Sequence, residues 1–351
     1  MSLNTTKTLT ILSLSAALLA TSALTAFGVG TSPKSIGETT ALIPEAGLPT
    51  GELKDGESGN TNFPFANFKT LATVGEVDAD SGMALTGYPD GQAAWLADED
   101  TVRVAYQSES YATMGSAPKP ETYPWEMSNG VSFTGSHIHT IDYDRSSFAE
   151  FMNNDAAAAT MVNGSGKLFD TVYNVFGEMV EKPTYDPSDL AGKWGNQTRP
   201  DGTLIQFKPD FRLSEADYFF QSFCGAWYEQ ANKYGAGIGF ADNIWLAAEE
   251  WAIGRMFPAG GADANATMGL AALAVDIASG TAYTVPALGQ TGYEKMMPIN
   301  SGHEDYVVIV TSGYNHDQEP SPLKVYVGMK DRLPDGSMID YSSANERDSF
   351  L

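Results

Sequence analysis

The residues of this chain best suited to chemistry are carboxylates that stand where hydrophobic strands stop. Glu109 follows a strand-like segment ending at Tyr106, Glu249 and Glu250 follow Ile244-Trp245-Leu246-Ala247-Ala248, and Glu294 follows the run from Leu288 to Tyr293. A strand end is where a side chain can project into a shared mouth. If these ends converge, the mutual repulsion of the carboxylates must be relieved by protonation or by cations, and oxygen ligands of this kind suit calcium. Acidic residues also occupy strand ends as solvated turn formers, so each one alone carries either reading. Glu249 and Glu250 point to opposite faces of an extended chain, so at most one faces a common channel unless a bulge intervenes.

Other reactive groups are weaker signals. Asp78-Ala79-Asp80-Ser81-Gly82 opens like a calcium loop, but no glutamate follows at the required distance. His137 and His139 share one face of a strand, while His303 and His316 sit in loops. A two-histidine site and a pair of surface or hydrogen-bonded residues are both open there. Cys224, the single cysteine, excludes an internal disulfide and is a metal ligand, a nucleophile or a buried apolar residue. Gly-x-Ser-x-Gly, phosphate-loop and dinucleotide-binding patterns are absent, which disfavours the common serine hydrolases, nucleotide hydrolases and dehydrogenases.

The elements that must position these groups read mainly as strands. Ala93–Leu96 and Thr101–Tyr106 flank the polar turn 97–100 as a hairpin, with Val102, Val104 and Tyr106 on one face. Further strands are expected at Val131–Phe133, Ile138–Ile141, Leu204–Phe207, Ile244–Ala248, Leu270–Ile277, Thr281–Val285, Tyr306–Thr311 and Leu323–Val327. Two segments carry helical spacing. One is Gly166–Met179, through Leu168, Val172, Val175, Phe176 and Met179. The other starts at the capping-box-like Ser214-Glu215-Ala216-Asp217, runs through Phe220, Phe223 and Trp227, and carries Cys224.

Lys7 is the only charge ahead of the apolar run Leu9–Leu24, the layout of a signal peptide. Residues 1–26 are therefore expected to be cleaved, 27–67 to form a poorly structured lead-in, and 68–351 to form one domain with a helical insertion around 145–235. Nothing later is suited to cross a bilayer, and the expected location is periplasmic or secreted. The formal charge of −24 disfavours nucleic acid as a partner and is compatible with bound cations or with a solubilising surface. The 35 glycines and 18 prolines imply many tight turns, which favours an all-β architecture.

In their order these elements resemble the PhoX-like family of secreted bacterial alkaline phosphatases, which are calcium- and iron-dependent β-propellers. Gly87-Tyr88-Pro89-Asp90-Gly91, then Ala94-Trp95 and Val102 to Glu109, resembles the family's Gly-x-Pro-Asp-Gly segment and its strand ending in Asn-His-Glu. Gln107-Ser108-Glu109 keeps only the glutamate. Phe223-Cys224-Gly225-Ala226 is similar to the Asn-Cys-x-Gly element, and Ile244 to Glu250 to the strand ending in Thr-Cys-Glu-Glu, with Ala248 for the cysteine. Ala287 to Glu294 is similar to the Leu-Gly-Arg-x-x-His-Glu stretch, with Tyr293 for the histidine. In the strand that follows, Ser312-Gly313 stands in place of two aspartates.

The resemblance spans about Thr86 to Lys330 and implies an all-β propeller of about six blades with helical insertions. With roughly 250 β-rich residues the chain accounts for about four or five of them, so a C-terminal truncation is expected. The implied activity is hydrolysis of a small phosphorylated substrate, a phosphate monoester, with Ca2+ and Fe3+ as cofactors. The implied ligands are Glu109, Cys224, Glu249, Glu250, Glu294 and Asp90, with Lys295 or Arg255 on the phosphate. Two alternatives stand beside it: a non-catalytic calcium-binding propeller, and a propeller lactonase.

Overall fold

Short apolar runs broken by polar turns become strands, and in the computed structural model nearly all regular structure is β. The structure describes residues 34–40, 69–85, 88–109, 124–130, 132–134, 136–173, 179, 223–250, 271–290, 292–313, 323–332 and 336–340. The strands are β1 (Tyr88–Leu96), β2 (Thr101–Glu109), β3 (Pro124–Glu126), β4 (Ser132–Thr134), β5 (His137–Asp144), β6 (Val162–Lys167) and β7 (Thr171–Tyr173). They continue with β8 (Phe223–Glu229), β9 (Ile244–Glu249), β10 (Ala271–Asp276), β11 (Thr281–Gln290), β12 (Tyr293–Ile299), β13 (Tyr306–Gly313) and β14 (Leu323–Met329). One α-helix, α1 (Phe148–Asn153), and two 3-10 turns, Arg145–Ser147 and Ala158–Met161, interrupt them among the described residues.

The strands form sheets of order β1-β2-β5-β6, β7-β11-β10-β9-β8 and β12-β13-β14, with β3 and β4 as a separate pair. From β8 to β11 and from β12 to β14 each strand pairs antiparallel with the next in sequence, while β7 joins the edge of β11 in parallel. Two compact units emerge: one from residues 1–86, 96–103 and 141–166, the other from 87–95, 104–140 and 167–351.

In the first unit, buried acids are matched by backbone donors. Glu76 accepts from the amides of Gly37, Thr39 and Thr73 at 2.7 to 2.8 Å. Asp78 accepts from the amides of Asp80 and Ser81 and from the Ser165 hydroxyl. These bonds hold the Asp78 carboxyl below its ordinary range in spite of burial. The calcium-like loop is thus a turn closed by its own aspartate. Arg103 and Asp142 add a two-pronged ion pair, both bonds 2.7 Å.

The second unit has two cores on the two faces of the five-stranded sheet. Phe223, Trp245, Ala247, Leu273 and Val275 pack with Trp95, Ala105 and Ile138. Ile244, Leu246, Ala248, Ala272 and Ala274 pack with Tyr293, Met296 and Ile309. Burial on both sides explains why Ile244–Ala248 is apolar without alternation. Trp95 also stacks on Tyr228, ring centres 4.6 Å apart.

Several sequence expectations need correction. The helix expected from Gly166 is instead the end of β6 and all of β7: Leu168, Phe169, Val172 and Tyr173 are buried together, and Thr171–Tyr173 pairs with Thr281–Tyr283. Ladder pairing with a strand more than a hundred residues away overrides the local period. Cys224 lies on β8 rather than on a helix, in an aromatic segment suited to a pleated, half-buried surface. The rest of that helix, the strand at Leu204–Phe207, residues 1–26 and His316 lie outside the described residues. Within the expected lead-in, Ile36 is buried and Ser35 bridges Val77. In the described part of the expected helical insertion, helix is confined to residues 145–161.

Candidate metal centre

Two glycines bring three strands into backbone contact. A side chain at Gly91 of β1 would place its Cβ 2.5 Å from the Cys224 carbonyl oxygen and 2.5 Å from Ala226 Cβ. A side chain at Gly225 of β8 would place its Cβ 1.9 Å from the Glu294 carbonyl oxygen. Only glycine allows such approach. The residues beside these crossings, Asp90, Cys224 and Glu294, are drawn together as a result.

Irregular register aims two of them. The β8–β9 ladder shifts between Phe223 and Ala226, and the β12–β13 ladder shifts between Tyr293 and Lys295, so Cys224 and Glu294 each lie within a break of the pleat. Such breaks redirect a side chain away from regular alternation. Glu109 ends β2, and Glu250 follows the last residue of β9. Cys224 Sγ is 2.9 Å from Glu109 Oε1 and 2.6 Å from Glu250 Oε2. Ligand atoms of Asp90, Glu109 and Cys224 lie within 4.8 Å of one another.

One thiol carries one proton and cannot donate to two carboxylates at once. Asp90 feels the crowding: its carboxyl is pushed up from the ordinary range, by burial and by the charges of Glu109 and Glu250, while a hydrogen bond with Cys224 opposes the rise. Glu294 is pushed up likewise, by burial and then by Glu250, Asp90 and Glu109, with Lys295 working the other way. Five side chains from five segments therefore share one patch.

Of the residues singled out from sequence, Asp90, Glu109, Cys224 and Glu250 meet, and Glu294 stands near enough to feel the charges of the three acids. Glu294 is the second residue of β12 rather than the end of the preceding strand, which stops at Gln290. Glu249 is buried opposite Phe223, and it is its neighbour Glu250 that reaches the thiol. Lys295 donates from Nζ to the Ala226 carbonyl at 2.5 Å and lies near the Trp227 ring. Arg255 lies outside the described residues. Tyr293 is a structural group: its hydroxyl lies 2.8 and 2.7 Å from the Leu288 and Gly289 carbonyls, between which its one proton is shared, and it is pushed up to about 12 by burial.

Sequence reading missed the support beneath the patch. Trp245 Nε1 donates to Gln107 Oε1 at 3.0 Å inside the core, tying β9 to the strand that ends in Glu109. A buried polar residue two places before Glu109 was the available signal. His137 and His139 do share a face and are buried, with Nε2 atoms 2.8 Å apart, as the hydrogen-bonded reading has it. His303 is exposed in a loop. No family model, no curated protein and no solved structure matches the chain. No helix among the described residues is long and apolar enough to cross a membrane.

Proposed function

We propose that this chain is an exported, cation-dependent hydrolase of phosphate monoesters whose metal centre is formed by Asp90, Glu109, Cys224, Glu250 and Glu294. The observation that carries the reading is the contact of one thiol with two glutamates at 2.9 and 2.6 Å, in a patch where two further carboxyls are pushed up by burial and by like charge. The buried acid Glu76, by contrast, has matched donors, the amides of Gly37, Thr39 and Thr73. A cation is the natural counter-charge for the patch.

The donor set fits the ions the family resemblance implies. Four carboxylates supply the oxygen ligands calcium prefers, and a thiolate at Cys224 suits a softer ion such as iron. Cations held there by these carboxylates and the thiolate would supply the means to polarise a phosphoryl oxygen and offset its developing charge. The chain's own part is to hold four acids and a thiol at a fixed spacing on strand ends anchored in two cores. Supporting a propeller are the two up-and-down runs, β8 to β11 and β12 to β14, and the backbone contact of the leading strands β1, β8 and β12 at Gly91 and Gly225.

A second reading, a calcium-binding protein without turnover, is favoured by one observation: Lys295, the described cation beside the patch, is engaged with the Ala226 carbonyl. Elemental analysis of purified protein together with turnover of a chromogenic phosphomonoester tests both. Iron with calcium, and turnover abolished by chelation, is the expected result. Calcium-dependent stabilisation without turnover under calcium and iron supplementation selects the second reading, and absence of any bound or binding metal refutes both.

A further inference from the structure

The three-stranded sheet β12-β13-β14 buries one face and leaves the other open. Its inner face places Met296, Ile309 and Thr311 in the interior. The register pairs Ile299 with Val308 and Val308 with Val327, and pairs Met297 with Val310 and Val310 with Val325, so these six share the outer face. Leu323 and Met329 extend it at the two ends of β14. Leu323, Val325 and Val327 are 73 %, 63 % and 60 % exposed, and Met297, Ile299 and Met329 are exposed as well. The open apolar area is roughly 500 Å², at the upper end of what a soluble monomer leaves uncovered. None of these outward residues is acidic, in a chain of net charge −24.

β14 is also the last strand of its sheet. An edge with an apolar face is a template for strand addition, and native chains guard such edges with charges, prolines or bulges. Here Lys324 is the single charge on the strand, and it lies on the inner side of the alternation.

We propose that this edge and face join a second copy of the same chain, β14 against β14 in antiparallel register about a two-fold axis at Tyr326. The strand reads Leu-Lys-Val-Tyr-Val-Gly-Met, a palindrome in character. Reversal about Tyr326 sets Val325 opposite Val327 and Leu323 opposite Met329, and on the other face Lys324 opposite Gly328. No like charges are opposed, and apolar meets apolar throughout one face. A two-fold contact needs such self-complementarity, and it closes at two copies. Elsewhere two molecules each carrying −24 repel, so this acid-free face is where close approach costs least. The paired sheet has six strands and one continuous apolar face.

Sedimentation equilibrium of the full chain across micromolar concentrations tests this, with the double substitution Val325→Lys, Val327→Lys as the disrupting variant. It puts a lysine opposite a lysine twice in the proposed register. The wild type is expected to double in mass as concentration rises, and the variant to stay at monomer mass with an unchanged far-UV spectrum. To separate loss of association from loss of fold, single Val325→Cys and Val327→Cys chains are also mixed under mild oxidation. Disulfide-linked dimers should form more in the mixture than with either chain alone. A wild type monomeric throughout, a ladder of higher oligomers, flotation of the monomer with phospholipid vesicles, or cross-linking no greater in the mixture would each overturn the proposal.

Discussion

Replacing Glu109 by Gln separates a crowded ligand from a structural acceptor, because the two predict opposite signs for the cation-free protein. The substitution keeps an oxygen that can accept from the Cys224 thiol but removes one negative charge from a patch whose ligand atoms lie within 4.8 Å. Two unit charges at that separation repel by about 1 kcal/mol in water and about 3 to 4 kcal/mol at an effective dielectric of 20. Asp90 is exposed, so the lower figure applies to its share. The cation-free variant should therefore be more stable than the wild type by about 1 to 2 kcal/mol, a rise in Tm of roughly 2 to 8 °C for a domain of this size. With cation present that advantage is offset. Loss of a charged ligand should weaken binding at least about tenfold, which removes about 1.4 kcal/mol of ligand-linked stability at saturation. The assay is thermal unfolding by circular dichroism after exhaustive chelation, then with calcium restored. A Gln variant less stable than the wild type in the chelated state would refute the reasoning, since Glu109 would then be a structural acceptor rather than a crowded ligand.

Two further outcomes follow from the same geometry. Asp90 and Glu294 have carboxyls raised in the fold above their ordinary values of 3.8 and 4.5, so the folded state binds more protons than the unfolded one just above those values. Their contribution is fully present below those values and is lost as pH rises through the raised ones. Glu294→Gln should accordingly reduce the loss of stability of chelated protein between about pH 4 and pH 7, measured as urea midpoints against the wild type; an unchanged difference across that range would count against the crowding. Gly225→Ala should cost about 3 kcal/mol or more, and weaken calcium binding, because its Cβ has no room beside the Glu294 carbonyl. Gly164→Ala, whose Cβ meets nothing within 4 Å, is the control, and equal midpoints for the two would mean that β8 and β12 do not meet as described.

The all-β class and most strand positions were legible in the sequence, because alternation and unbroken apolar runs such as Ile244–Ala248 report burial directly. The candidate acids were legible as well, since an acid abutting such a run stands out. The helices expected around Leu168 and Cys224 failed for one reason. Leu168 with Val172, and Phe223 with Trp227, fall at helical spacing by chance, and it is pairing with Thr281–Tyr283 and with β9 that makes them strands. Single-chain periodicity contains no term for a partner strand.

What the sequence determined by itself is chemical: carboxylates beside apolar strands, a single thiol, and a strongly acidic charge compatible with bound cations. What the tertiary structure decided is which of these meet. Glu250 rather than Glu249 faces the thiol because adjacent residues of an extended chain point apart, and only the packing on each side of β9 says which side faces the patch. Gly225 carries no turn signal, and Gly91, after Pro89-Asp90, reads locally as a turn residue; their purpose appears only when two other backbones cross them, since steric exclusion is a property of neighbours in space and not of neighbours in sequence.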